Sequence, residues 1–178
     1  KAKGKANIAS GDLMKEYYQF RIGSITKTFT YTVLLQLVDE NLMSLEDKLS
    51  KYFPSFPNAD NVTIKMICNH TSGIYDYVKS SIFSDQMNTN PLKVWDPQEF
   101  LDIAKDQPYY FSPGEGYTYS NTDTIMAGMI VEKITGNKIE YEIEKRIIEE
   151  LNLNNTYYPA DNLLLGGAFQ WLWMAGFW

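Results

Sequence analysis

A serine and a lysine three residues apart are the first pair whose chemistry suggests a function. Ser24 and Lys27 lie in the stretch FRIGSITKTFT, and Gly23 precedes the serine. If a helix begins near Ser24, both side chains lie on one face, one turn apart. A serine hydroxyl becomes an effective nucleophile when an adjacent base takes its proton, and a lysine amine at this spacing can do so. The N-terminus of a helix also favours the negative charge that such a reaction develops.

The spacing by itself is weak evidence. With 11 serines and 14 lysines in 178 residues, chance alone gives about 0.9 Ser-x-x-Lys pairs. Two polar residues at the start of an ordinary helix would look the same, so the pair needs support from elsewhere in the chain.

A second candidate group is the tripeptide Tyr119-Ser120-Asn121, which lies in a loop rich in Pro and Gly before a predicted helix. The composition gives about 0.06 copies by chance, so this signal is more informative. A tyrosine can relay a proton when a nearby cation stabilises its phenolate, and Lys27 is such a cation. An asparagine has both a donor and an acceptor, which suits holding an amide substrate. Taken alone, the tripeptide is better explained as a helix cap beside an exposed tyrosine.

The elements that must position these residues are predicted to be mainly helices. Ser24 is a predicted N-cap, and apolar residues at helical spacing after it predict a helix that Asn41 stops. Thr63 is the predicted cap of a short helix, and Asp96 begins another with proline at the first position and acid at the third. Ser120 or Asn121 is predicted to open a long helix.

The rest of the chain gives less regular signals. Gly136 is predicted to stop the long helix, and an amphipathic helix is predicted over residues 138–151. Residues 4–22 predict a hairpin or two short strands around a Ser-Gly-Asp turn, and residues 75–95 predict a long loop. The predicted apolar stripe of the last helix consists of Ile139, Ile143, Ile147 and Leu151.

Composition excludes several classes of function. The chain is 44% hydrophobic, which is typical of a globular protein with one domain, or one and part of another. A net charge of −6 without a long basic run disfavours nucleic-acid binding. With Cys68 as the single cysteine and His70 as the single histidine, we expect no internal disulfide and no metal site. Cys68 is predicted to be a small apolar core residue.

Both ends of the chain are unusual. The sequence does not begin with Met, and no apolar stretch follows the first lysines, so we expect a mature or trimmed N-terminus. Residues 163–178, LLLGGAFQWLWMAGFW, contain one polar side chain, Gln170. This segment is shorter than the roughly 20 residues of a membrane-spanning helix, which disfavours membrane attachment and favours buried strands.

Four segments, in order, resemble the serine β-lactamase and penicillin-binding-protein superfamily, most closely its class C branch of β-lactamases, DD-peptidases and esterases. The segments are FRIGSITKTFT, MICNHTSGIYDY, FSPGEGYTYSNTDTIMAGMIVEKITG and LNLNNTYYP, and the resemblance covers about residues 4–159. It implies an α+β, β-lactamase/DD-peptidase-like fold, of which this chain has mainly the helical lobe and N-terminal strands, with an incomplete sheet. We therefore expect residues 1–159 to be a partial hydrolase region and residues 160–178 an apolar tail of displaced strands.

The resemblance also implies a role for each candidate residue. Ser24 corresponds to the acylated nucleophile, and its backbone N–H to one oxyanion donor. Lys27 corresponds to the partner that moves the proton, and Tyr119 to the general base. Asn121 corresponds to the residue that binds the substrate amide, and His70 to a structural position, although a Ser-His pair is an alternative. The implied substrates are D-alanyl peptides, β-lactams or small esters, with no cofactor or metal, in the periplasm, at the cell surface or secreted.

One element of the family is missing from the sequence. A Lys-Thr-Gly or His-x-Gly triplet, on the strand that supplies the second oxyanion donor, does not follow Pro159. We therefore expect the chain to correspond to the first half of a family member, and residues 1–178 alone to acylate poorly. A non-catalytic binding or sensing module with the same fold, or a protein held at a membrane by residues 163–178, is the alternative.

Overall fold

The computed structural model describes residues 1–18, 20–91 and 93–158. Within these ranges, β structure is limited to two isolated antiparallel bridges, Lys5–Leu13 and Lys48–Thr63. Short 3-10 turns occupy Gly23–Ile25, Leu49–Lys51, Ala59–Asn61 and Tyr77–Lys79, and a π-helical turn occupies Glu144–Glu149. The α-helices of the described residues are α1 (Thr26–Asp39), α2 (Ile64–Cys68), α3 (Ser81–Thr89), α4 (Pro97–Lys105), α5 (Asn121–Thr135) and α6 (Ile139–Ile143).

Helix α5 lies at the centre of the core and packs against α1, α2, α4 and α6. Most of its apolar side chains are buried, as are Val33, Leu34 and Leu37 of α1. Burying a side chain of this size contributes about 1.5–3 kcal/mol, so the contact between α1 and α5 is a main source of stability. The predicted helical spacing in α1 is confirmed, and this packing fixes the two helices that begin at the candidate residues.

Helix ends follow the predicted local signals closely. The Thr63 hydroxyl accepts the backbone N–H of Met66 at 3.3 Å and caps α2. Asp96 and Glu99 form a capping box at the start of α4. Helix α5 ends at Gly136, whose φ of 74° is in the left-handed region. These three predictions are confirmed.

The predicted loop over residues 75–95 is wrong. This segment contains the 3-10 turn Tyr77–Lys79 and helix α3. The Ser80 hydroxyl caps α3 by accepting the N–H of Ile82 at 3.2 Å. The helix is anchored by Phe83, which is 4% exposed and packs against other aromatic rings of the core. One buried residue on a polar helix leaves almost no periodic signal, so tertiary packing decides the structure here.

The predicted strands of residues 4–22 are reduced to one bridge. Lys5 pairs with Leu13, and the backbone N–H of Met14 donates to the carbonyl of Gly4 at 3.0 Å. The chain therefore turns back on itself without forming a ladder, because a hairpin needs further strands to become stable.

The predicted helix over residues 138–151 is also different from the structure. Helix α6 continues into a π-helical turn, in which hydrogen bonds skip one more residue than in an α-helix. Ile139, Ile143 and Ile147 of the predicted stripe are buried, but the π-helical turn ends at Glu149, and Leu151 beyond it is 65% exposed. Ile148 is buried at 6% instead.

The predictions for the C-terminal tail, residues 160–178, lie outside the described residues. Within the described ranges, no helix is both long and apolar enough to cross a membrane.

Candidate active site

Ser24 lies in the 3-10 turn that leads into α1, and its side chain is exposed. Gly23 has a φ of 60°, a left-handed conformation that a residue with a side chain would adopt only with strain. The predicted capping role of Ser24 is wrong, because this turn has no side-chain cap and α1 begins two residues later. The serine hydroxyl does not accept a backbone N–H of the helix, and it contacts the side chains of Tyr119 and Lys27 instead.

The predicted residues meet at one place, although 95 positions separate Ser24 from Tyr119. The Ser24 Oγ and Tyr119 Oη atoms lie 2.9 Å apart. The Lys27 ammonium donates to Ser24 Oγ at 3.3 Å and to Asn121 Oδ1 at 2.9 Å. Each contact is within the range for proton transfer or a hydrogen bond. The serine hydroxyl is therefore flanked by two groups that can exchange a proton with it.

Lys27 is a buried cation with few acceptors. The residue is 6% exposed, and its Nζ lies 5.1 Å from the centre of the Tyr119 ring. Among the described residues, no carboxylate lies within 4.0 Å of this ammonium group. A buried charge is costly unless polar groups bind it, so the ring face and the Asn121 carbonyl stabilise Lys27 at this position.

A tyrosine of α1 ties together the helices that carry the candidate residues. The Tyr31 hydroxyl lies 3.1 Å from Thr124 Oγ1 on α5 and donates to the carbonyl of Ile67 on α2 at 3.3 Å. Burial raises the pKa of Tyr31 far above its usual range, so the hydroxyl stays protonated and can bond both groups. Lys27 and Asn121 thus sit on helices that are joined one turn below the site.

The loop that carries Tyr119 is pinned to residues 70–73. The backbone N–H of Thr118 donates to the carbonyl of His70 at 3.1 Å, and that of Gly114 donates to Thr71 at 2.9 Å. A third bond, from the N–H of Tyr110 to the carbonyl of Gly73, is 2.8 Å long. Three bonds between two otherwise irregular segments fix the direction from which Tyr119 approaches Ser24.

The single histidine contacts an aspartate rather than the candidate nucleophile. His70 Nδ1 lies 2.9 Å from Asp123 Oδ2, and the Ser72 hydroxyl donates to Asp123 Oδ1 at 2.7 Å. Burial raises the pKa of Asp123 to about 6, and the bonds from His70 and Ser72 act in the opposite direction. The His70 ring packs 4.8 Å from the Tyr119 ring, centre to centre. The alternative of a Ser-His pair therefore has no support, and the His70 ring packs against Tyr119 instead of bonding Ser24.

Two residues at or next to the site were not predicted. Asp76, 3% exposed, bonds the side chain of Asn121, and Asp123 is fully buried and contacts His70. The signal that could have found Asp76 is weak, since it is one acid in the polar segment after MICNHTSG. Cys68 is partly buried against the core. In the described part of the chain, no group of three or more His, Cys, Asp or Glu residues is arranged to hold a metal ion.

Comparison with known proteins gives a consistent result. The family described as Beta-lactamase matches residues 1–163. The chain is 30% identical over 155 residues to penicillin-binding protein 4* of Bacillus subtilis (strain 168), with 86% of this chain and 33% of that protein covered. It is 28% identical over 166 residues to esterase EstB of Burkholderia gladioli, with 87% and 42% covered.

A solved structure shows the same similarity. The D-stereospecific amidohydrolase from Streptomyces sp. superposes with a TM-score of 0.73 and 36% identity, over 76% of this chain and 43% of that one. The predicted fold is confirmed by this match. The chain thus spans between 33% and 43% of the length of these three proteins.

Proposed function

The chain belongs to the beta-lactamase family, and we propose that it is part of a serine hydrolase that works through an acyl ester on Ser24. The observation that carries the proposal is the contact of an exposed serine hydroxyl with both Tyr119 Oη, at 2.9 Å, and Lys27 Nζ, at 3.3 Å. A nucleophile and its base within hydrogen-bond reach are the geometric requirement for covalent catalysis.

The proposed reaction begins when Ser24 Oγ attacks the carbonyl carbon of the substrate. The new C–O bond forms as the serine proton moves to Tyr119, whose phenolate form Lys27 stabilises. The carbonyl oxygen becomes an oxyanion, and the Ser24 backbone N–H is one proposed donor to it. When the tetrahedral intermediate collapses, the bond to the leaving group breaks, and the stored proton passes to that group. Water then attacks the ester carbonyl and gives a proton to Tyr119. Collapse of this second intermediate breaks the bond to Ser24 Oγ, which takes that proton back, and releases the acid.

Asn121 has a proposed role in substrate orientation. Its Oδ1 accepts from Lys27 at 2.9 Å, and a carbonyl oxygen has two lone pairs, so one remains for a substrate N–H. An amide hydrogen bond at this point would place the scissile carbonyl beside Ser24. The proposed substrates are therefore acyl donors next to an amide: D-alanyl peptides, β-lactams or D-amino acid amides, with small esters as a further class. The names of the three similar proteins, a penicillin-binding protein, an esterase and a D-stereospecific amidohydrolase, support this range.

The proposal extends to location. We propose the periplasm, the cell surface or the exterior, on the basis of the similarity to a penicillin-binding protein.

The test is covalent labelling of the natural full-length protein. A fluorescent penicillin and a fluorophosphonate should each attach to the intact protein, and peptide mass spectrometry should place the label on Ser24. Ser24→Ala should abolish labelling. The matched control is Ser84→Ala, which removes an exposed hydroxyl on α3 and should label like the wild type. Label that persists in Ser24→Ala would show that the nucleophile is elsewhere.

A further inference from the structure

We propose that Asp76 is a positioning residue of this site: it holds the Asn121 amide in one orientation and thereby keeps Lys27 against Ser24. The inference rests on the proposed function, since it assigns a task within the same reaction. Asp76 is 3% exposed and comes from the segment between α2 and α3, 45 residues before Asn121.

The contacts between these two residues are numerous. Asn121 Nδ2 donates to both carboxylate oxygens of Asp76, each at 3.2 Å. The backbone N–H of Asn121 donates to Asp76 Oδ1 at 3.1 Å. The Asp76 carboxylate thus accepts three hydrogen bonds from Asn121, which fix both the main chain and the side chain of this residue.

The carboxylate also determines which way the amide points. An ionised carboxylate offers acceptors alone, whereas the asparagine amide has a donor end and an acceptor end. Facing Asp76, Asn121 must present its NH₂ group, which leaves Oδ1 for the Lys27 ammonium at 2.9 Å. With the opposite orientation, Nδ2 would face an ammonium that has no acceptor to offer. Asp76 therefore selects the orientation that binds Lys27.

Asp76 is itself rigidly placed. Its Oδ1 accepts the backbone N–H of Val78 at 3.3 Å, and its own N–H donates to the Tyr110 hydroxyl at 3.3 Å. The next residue, Tyr77, donates its backbone N–H to Thr122 Oγ1 on α5 at 3.1 Å. The Thr122 hydroxyl in turn donates to the carbonyl of Tyr75 at 2.7 Å. The segment is thus tied to the first turn of α5 on both sides of Asp76, which keeps the carboxylate facing Asn121.

The beginning of α5 gives independent support. Ser120 occupies the N-cap position but makes no capping bond, and its buried hydroxyl has no partner among the described residues. Asp76 supplies the anion at this 15-residue helix end, by accepting the first N–H. A negative charge there is favourable because of the helix dipole. An acid from a distant segment has replaced the local cap, and it also contacts the site residue Asn121.

The decisive variant is Asp76→Asn, which keeps the shape and removes the charge and one acceptor. The amide at position 76 can donate its NH₂ group to Asn121. The Asn121 side chain then turns, so that its Oδ1 faces position 76 and its Nδ2 faces Lys27. We expect Lys27 to withdraw from Ser24, and a displacement of about 1 Å costs about 10²-fold in rate. The acylation rate should fall by that factor, and KM should rise as well, because the turned amide also takes Oδ1 away from the substrate N–H.

The experiment compares acylation of the natural full-length wild type with three variants. Asp85→Asn makes the same charge change on the exposed face of α3 and should behave like the wild type. The exchanged double variant, D76N/N121D, restores a donor at position 76 and an acceptor toward Lys27, so it should recover at least tenfold of the loss. A purely structural role for Asp76 would lower the melting temperature without this recovery. Acylation of Asp76→Asn within threefold of the wild type, or no recovery in the exchanged variant, would overturn the proposal.

A second measurement separates this proposal from the proposed function. If the wild type is not labelled by any acyl donor, the hydrolase assignment fails, and crystal structures of the wild type and Asp76→Asn then decide the role of Asp76. A turned Asn121 amide with Lys27 Nζ moved away from Ser24 Oγ supports the positioning role. Unchanged positions of Asn121 and Lys27 contradict it.

Discussion

Removing one oxygen atom from Tyr119 tests the proposed base directly. In Tyr119→Phe, the ring keeps its packing 4.8 Å from His70 and 5.1 Å from Lys27 Nζ, but the 2.9 Å contact with Ser24 is lost. A positioned general base contributes about 10²–10⁴-fold to a rate, which corresponds to about 2.7–5.5 kcal/mol of activation free energy. The hydroxyl contributes only about 0.5–1.5 kcal/mol to folding as an ordinary hydrogen bond. The acylation rate should therefore fall far more than stability does.

The assay is the rate of acylation by a chromogenic β-lactam or ester, together with the free energy of unfolding in urea. Tyr117→Phe is the matched control, because Tyr117 lies in the same loop, its ring packs 6.4 Å from that of His70, and it is 68% exposed. We expect this control to keep the wild-type acylation rate. If Tyr119→Phe acylates within threefold of the wild type, Tyr119 is not the base, and Lys27 alone must take the serine proton.

Three further predictions concern stability and reactivity. Burial raises the pKa of Asp123 from 3.8 to about 6, so this carboxyl contributes stability at low pH that is lost as the pH rises to about 6. In Asp123→Asn, the slope of the unfolding free energy against pH in this range should become flatter by up to about 1.4 kcal/mol per pH unit. An unchanged slope would contradict this. Gly73 and Gly136 have φ near 75°, but a Cβ at Gly73 would clash with the backbone oxygen of Phe111, and one at Gly136 would meet no described residue within 4 Å. Gly73→Ala should therefore destabilise the fold by about 1–3 kcal/mol more than Gly136→Ala in urea unfolding, and equal effects would show that the loop relaxes. Burial raises the pKa of Cys68 to about 12, so this thiol should react with Ellman's reagent much more slowly in the folded protein than in urea.

Local chemistry accounts for the features that were predicted correctly. The caps at Thr63 and Asp96 and the stop at Gly136 each depend on one residue and its nearest neighbours, so the sequence alone is sufficient to place them. The apolar face of α1 is equally local, since its period can be counted along the chain.

The features that were missed depend on contacts between distant segments. Helix α3 exists because Phe83 enters an aromatic cluster formed with Tyr77, Trp95 and Phe100, and no one of these residues marks a helix by itself. The π-helical turn after α6 has one more residue in each hydrogen-bonded ring and ends at Glu149, so Leu151 of the predicted stripe lies beyond it and is 65% exposed. A periodic pattern cannot show such a change, because it assumes a constant number of residues per turn.

The candidate site combines both kinds of information. Ser24 and Lys27 are close in sequence, and their spacing predicts their contact at 3.3 Å. Tyr119 and Asn121 were assigned by resemblance, and the structure brings them to the same place, while their catalytic roles stay predictions. Asp76 was missed because its partner is 45 residues away and its own neighbours give no sign of the contact.

His70 shows why residue type alone is a poor guide to the base. A single histidine near a nucleophilic serine invites a Ser-His interpretation, yet its Nδ1 lies 2.9 Å from Asp123 and its ring lies against Tyr119. Its carbonyl accepts the N–H of Thr118, the residue before the tyrosine, at 3.1 Å. The His70 side chain therefore contacts Tyr119, its main chain contacts the residue before it, and both contacts restrain the tyrosine beside Ser24. We therefore expect the histidine to hold Tyr119 in place, and in the proposed mechanism the proton of Ser24 moves to the tyrosine with Lys27 beside it.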